Sequence, residues 1–371
     1  MKVGIIDAEI IGKKKHRFPN LACMKISAYH KSIGDIVELL FDYANVADYD
    51  KVYISKVFTA TPIPDEVLNM PNVQYGGTGF FYDKAPKLPD EIEYIKPDYH
   101  LYDKWAEICL ANGASKKSLQ YYTDFSIGFA TRGCFRKCTF CVNQNCDKSV
   151  KQGNISEWID ESRPYICCLD DNVFACVKWR EVFAELQATG KRFQFKQGCD
   201  ERLLTDEKCV ELFKKSKWVG DYIFAFDKYS DKDIIVEKLK LLRKHTNKKC
   251  KFYCFCGYNH KANFYNDEFW VVDLYELFQR IEILMKYGCL PYIMRHENYE
   301  KSPFRGMYIT IARWCNQPNF YKKLSLREFC IKNGTSSSAY RYLTEFEKLC
   351  PWFSKFFDMK FEEVRQFTGG V

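Results

Sequence analysis

Residues 127–144 read IGFATRGCFRKCTFCVNQ, and Cys134, Cys138 and Cys141 within them form a C-x-x-x-C-x-x-C run. The apolar alternating residues 125–130 ahead of the run have strand character, and Arg132-Gly133 reads as a turn, so one strand delivers three thiols to one loop. Thiolates grouped this closely in sequence suit a soft metal centre, and iron–sulfur clusters and zinc are the two candidates. Zinc calls for a fourth Cys or His to complete its tetrahedron, and Cys146 stands near enough to serve. Spacing alone leaves both metals open, with three reduced thiols and no metal as the plain alternative.

The pattern C-x-x-x-C-x-aromatic-C just after a strand, with Phe140 as the aromatic residue, resembles the signature of the radical SAM superfamily. The resemblance implies that Cys134, Cys138 and Cys141 hold three irons of a [4Fe-4S] cluster, beside Phe140, and that S-adenosylmethionine (SAM) chelates the fourth iron. It further implies reductive cleavage of SAM to a 5′-deoxyadenosyl radical that acts on an unidentified substrate. An external electron donor such as flavodoxin or ferredoxin is implied as a partner. In such systems the cofactors carry the difficult chemistry and the protein orients and shields them.

A chain of 371 residues exceeds the usual single domain, which predicts two or three domains. Eighteen cysteines are many. The opening MKVGIIDAEI has no signal-peptide pattern and no apolar run is long enough to span a bilayer, so the expectation is a cytoplasmic protein with reduced thiols and no membrane partner. Cys23, Cys109, Cys209 and Cys350 fall among apolar residues and read as core. A formal charge of +8 admits an acidic partner such as nucleic acid, and is equally ordinary surface on a chain of this size.

Upstream, residues 1–6 read as a strand, a basic loop covers 12–17, and Leu21, Met24 and Ala28 recur at helical spacing. Residues 35–42, 51–58 and 73–79 read as further strands, the last entering the glycine turn Gly76-Gly77-Thr78-Gly79. His16 and His30 read as surface residues. Strands alternating with short helices predict a small Rossmann-like parallel α/β domain over 1–85, followed by a connecting segment over 86–120. In layout, FPNLACMKISAYHKSIGDIVELL, YDKVYISKVFT and VQYGGTGF resemble the cobalamin-binding domain that precedes the radical SAM domain in many relatives. The D-x-H-x-x-G motif is absent, so cobalamin is left open there and is not implied.

From residue 121 the pattern changes to strands over 125–130, 165–169, 193–196, 222–226, 251–256 and 291–295, separated by helices over 179–189, 205–216, 231–245 and 267–287. Six such units predict a partial (β/α)6 TIM-like barrel over 121–307, with its site at the C-terminal ends of the strands. Asp170, Asp171 and Asn172 follow the second strand, where the resemblance implies contacts with the methionine amino group of SAM; an Asx-rich turn is the rival reading. Gln197, Asp200 and Arg202 follow the third strand and Asp227 the fourth, near the positions implied for the ribose and carboxylate of SAM. The Arg202 fork suits a carboxylate, unless Asp200 pairs with it. Gly257-Tyr258-Asn259 and Arg295-His296-Glu297, after the last two strands, suit a substrate. Cys250, Cys254 and Cys256 share one face of a strand, which predicts core packing instead of a second cluster.

Residues 308–371 begin with YITIARWCNQP and then turn helical. Two short helices around Gly334 have a layout compatible with helix-turn-helix, while the aromatic residues of FEKLCPWFSKFF favour a C-terminal helical cap. Two alternatives stand beside the radical enzyme: a non-catalytic, metal-bound nucleic-acid-binding protein, and a cobalamin-dependent radical SAM methyltransferase.

Overall fold

In the computed structural model, which describes residues 1–13, 16, 18–143, 145–260 and 264–367, the apolar start of the chain forms the strand β1 (Lys2–Asp7). Residues 14, 15 and 17 of the basic loop lie outside the described residues, as does Gln144 at the end of the cysteine stretch. The chain divides into two compact units, residues 1–196 and 197–371.

In the first unit β1 is joined by β2 (Ile36–Leu39), β3 (Lys51–Ser55) and β4 (Val73–Gly76) in a parallel sheet of order β2-β1-β3-β4. Successive residues of β1 feed opposite faces: Ile5 packs with Cys23, Met24, Trp105 and Tyr122, and Ile6 with Val46, Val52, Ile54 and Val67. Burial of each large apolar side chain stabilises the fold by about 1.5–3 kcal/mol, so both faces of this strand are held. The helix Leu21–Ser32 covers one face and begins where the Asn20 side chain accepts the Cys23 amide. His30 is a correction to the sequence reading. It is buried, 2.7 Å from Asp35 and 3.0 Å from the Tyr53 hydroxyl, because its helix lays that position against the sheet.

The same unit contains β5 (Phe125–Gly128), the two-residue strands β6 (Thr131–Arg132) and β7 (Val150–Lys151), then β8 (Tyr165–Cys168) and β9 (Arg192–Phe195). β5, β8 and β9 form a parallel sheet in that order, with the helix Trp179–Ala188 between the last two. β6 and β7 pair antiparallel and bracket the cysteine loop. Strands of two residues show no periodicity, and the sequence did not announce them.

The second unit holds a parallel sheet of β10 (Tyr222–Ala225), β11 (Cys250–Cys256) and β12 (Leu290–Arg295), with the helices Lys232–His245 and Asp267–Lys286 as its crossovers. The six expected parallel strands are thus present, as two three-stranded sheets in chain order. Cys250, Cys254 and Cys256 lie buried on one face of β11. The helix expected over 205–216 is Asp206–Val210 continued by a π-helical turn, Glu211–Lys215.

YITIARWC is already helical, a correction to the sequence reading: the helix Arg305–Cys315 buries Tyr308, Ile311, Ala312 and Cys315 at three- and four-residue spacing. A Cβ at Gly306 would collide with the Tyr342 ring, so this helix lies tightly against Ser338–Leu349. Phe353, Phe356 and Phe357 stack around Phe278, docking the chain end on the helix Asp267–Lys286 as the aromatic pattern suggested. Among the described residues no helix is long and apolar enough to cross a membrane.

Candidate functional site

β5 ends at Gly128, and the chain passes through β6 into the cysteine loop. Parallel neighbours end on the same side, so the residues after β8 arrive beside the start of this loop. Asp170 is fully buried and accepts three hydrogen bonds, from the amides of Ala130 (2.9 Å) and Thr131 (2.8 Å) and from the Thr131 hydroxyl (2.9 Å). Burial pushes its carboxyl up to about 7 against the pull of those donors. With no exposed surface, Asp170 anchors the entrance of the loop and offers a ligand nothing.

Asp171 takes the Gly133 amide on one oxygen at 2.7 Å and the Asn143 side-chain amide on the other at 2.6 Å. One carboxylate therefore joins both ends of the cysteine run. Asn172 sends Nδ2 to Cys134 Sγ at 3.4 Å. Two backbone amides also approach sulfurs at 3.4 Å, Arg136 to Cys134 and Asn143 to Cys141. Phe140 is half-buried, and its carbonyl accepts the Tyr82 hydroxyl at 3.0 Å.

The three cysteines are partly exposed, as is Cys146. Burial, with nearby Asp171, Cys134 and Cys146, holds the Cys141 thiol above its ordinary value against the Asn143 amide. Among the described residues no three His, Cys, Asp or Glu side chains are gathered closely enough to hold a metal ion. The thiols share one loop, and N–H donors are aimed at the sulfurs of Cys134 and Cys141. Such donors stabilise sulfur-borne charge and tune cluster potentials, and in that respect the residues fit a thiolate-ligated iron–sulfur cluster.

In the second unit Gln197 is exposed at a turn whose Gly198 has φ +92°. Arg202 is already engaged: Nε meets Asp200 at 2.8 Å and Nη1 meets Asp231 at 3.0 Å. Of the two readings left open, the pairing of Arg202 with Asp200 holds, and Asp231 joins it. Asp200 also caps the short turn Glu201–Leu203. Asp227 is half-buried, accepts the Phe255 amide at 3.1 Å, and is pushed up to about 6 by desolvation.

Sequence reasoning missed the groups around them. Arg280, almost fully buried, sends Nη1 to the carbonyls of Phe226 (2.9 Å), Asp227 (3.0 Å) and Phe255 (2.8 Å), binding the ends of β10 and β11 together. Its signal was a charged residue inside the apolar stripe that includes Leu277, Phe278, Ile281 and Leu284. Glu201, between Asp200 and Arg202 in the chain, is buried, accepts the Ala225 amide at 3.0 Å, and is raised to about 8 by burial and then by Asp200. Past β12, His296 Nδ1 accepts the Asn298 amide at 3.2 Å, which leaves the ring proton on Nε2, and burial lowers the ring's pKa from its ordinary value. Phe255 and Tyr258 flank that ring edge-on at 5.8 and 4.9 Å.

No family model matches the chain, and no curated protein is significantly similar to it. Among solved structures it is similar to the radical S-adenosylmethionine methyltransferase TsrM from Kitasatospora setae, solved with cobalamin and a [4Fe-4S] cluster bound. The fold is shared. The likeness has a TM-score of 0.50 at 10% identity and covers 80% of this chain and 72% of that one.

Proposed function

We propose that the chain is a radical SAM enzyme in which Cys134, Cys138 and Cys141 ligate a [4Fe-4S] cluster and SAM takes the remaining iron. The reading rests on the C-x-x-x-C-x-aromatic-C loop that follows β5 and on Asp171 and Asn172, which brace it from the end of β8. The fold shared with a radical SAM methyltransferase supports it. When bound, the cluster and SAM supply a 5′-deoxyadenosyl radical after one-electron reduction by a donor such as flavodoxin or ferredoxin.

The protein's own part is positional. Asp170 and Asp171 hold the loop at its entrance and across its ends, and Asn172 with the amides of Arg136 and Asn143 stabilises charge on the sulfurs. No cobalamin step belongs to this reading.

The test is anaerobic reconstitution with iron and sulfide, then dithionite and SAM, with 5′-deoxyadenosine quantified in the wild type and in Cys138→Ala. Cluster-dependent 5′-deoxyadenosine from the wild type alone is the expected result. A colourless zinc protein that leaves SAM intact overturns the proposal.

A further inference from the structure

The N-terminal sheet has the order β2-β1-β3-β4, so its connections diverge between β1 and β3. In open parallel sheets a ligand sits outside the carboxyl ends of the strands at such a switch point. Three segments bound that crevice: residues 8–13 after β1, which open with the buried Ala8, Glu9 and Ile10, the loop after β3 from Lys56, and the glycine turn after β4.

These segments hold each other. The Glu9 carboxylate, 1% exposed, accepts the amides of Val57 (3.2 Å) and Phe58 (3.1 Å) and the Thr61 hydroxyl (3.0 and 2.9 Å), and pairs with Lys13 Nζ at 3.0 Å. Two successive backbone amides and a hydroxyl turned toward one point make an anion-binding nest, and its resident is a side chain of the same chain. Burial disfavours the charge, yet the Phe58 amide, Lys13 and Thr61 outweigh it and keep the carboxyl below its usual range.

The glycine turn closes the crevice further. Gly77 sits at φ +107°, and a Cβ there would collide with the Lys56 carbonyl, while the Gly79 amide donates to that same carbonyl at 2.9 Å. The glycines let two loops meet instead of framing an open cradle. Below them Asp7 accepts the Tyr102 hydroxyl at 2.8 Å, and the Asn20 side chain reaches the Ser55 hydroxyl at 2.8 Å.

We propose that this crevice is self-liganded: the Glu9 carboxylate occupies the amide nest that an anionic group of a cofactor would use, and the domain carries no cobalamin. The likeness in layout to a cobalamin domain is then one of fold without the cofactor. The proposal is independent of the cluster reading.

For the test, the full chain with its cluster reconstituted anaerobically is mixed with excess hydroxocobalamin, desalted and scanned, and its melting temperature is followed with added inorganic phosphate against chloride of equal ionic strength. The wild type is expected to lose all corrinoid absorbance on desalting and to show no phosphate-specific shift, whereas Glu9→Ala, with the nest vacated, gains one. Corrinoid retained by the wild type, or a phosphate shift as large in the wild type as in the variant, overturns the proposal. The wild-type measurements decide the matter even if Glu9→Ala does not fold. Iron content and 5′-deoxyadenosine, read on the same sample, keep this outcome separate from failure of the cluster reading.

Discussion

Asn172 Nδ2 lies 3.4 Å from Cys134 Sγ, linking the end of β8 to the first thiol of the cysteine loop. A donor on a cluster sulfur stabilises the reduced, more negative state. Asn172→Ala is therefore expected to keep its iron and to shift the cluster potential to more negative values, read by anaerobic redox titration with EPR. An unchanged potential would show that this contact does not tune the cluster.

Asp171 governs the loop differently, because its two oxygens take donors from both ends of the cysteine run. Hydrogen bonds to a charged acceptor are worth about 1.5–3 kcal/mol each, so Asp171→Ala loses about 3 kcal/mol of loop order, roughly a hundredfold in iron retention. Iron per chain after reconstitution and chelator challenge measures this. Asp170→Asn, which keeps an acceptor for the Thr131 amide, is expected to retain more iron than Asp171→Ala.

Glu201 makes stability fall with pH. Below its ordinary value of 4.5 it is protonated in the folded and unfolded states alike and has no effect. Between 4.5 and about 8 the folded protein keeps a proton that the unfolded chain gives up, so stability declines as pH rises, and above 8 the loss is complete. Glu201→Gln keeps an acceptor for the Ala225 amide and removes the titration. Urea denaturation is expected to find the variant more stable than wild type at pH 9, by on the order of a few kcal/mol, with the gain vanishing near pH 4.

Arg280 binds three carbonyls at the ends of β10 and β11 through one nitrogen. Arg280→Met leaves those carbonyls buried without this donor and removes the positive charge near Asp227. A loss of about 3–5 kcal/mol is expected in chemical denaturation, with partial recovery in Arg280→Lys. A change near zero would mean that backbone shifts or water satisfy these carbonyls.

The sequence was sufficient wherever a property is local. Runs of apolar and β-prone residues located the strands of all three parallel sheets to within a few residues, because a strand's preference is carried in its own residues. The C-x-x-x-C-x-aromatic-C run, and the burial of Cys250, Cys254 and Cys256 on one strand face, were legible for the same reason. Tertiary structure alone decided which polar residues work for which neighbours. Asp170 reads like any acid after a strand, yet its partners lie about forty positions upstream in the chain. Asp200, two positions from Arg202, was a visible candidate partner, whereas Asp231 became one only when the fold brought it there. Arg280 and Glu9 were silent because hydrogen bonds to distant backbone leave no periodic trace, and only the folded chain shows where an acceptor or an amide waits.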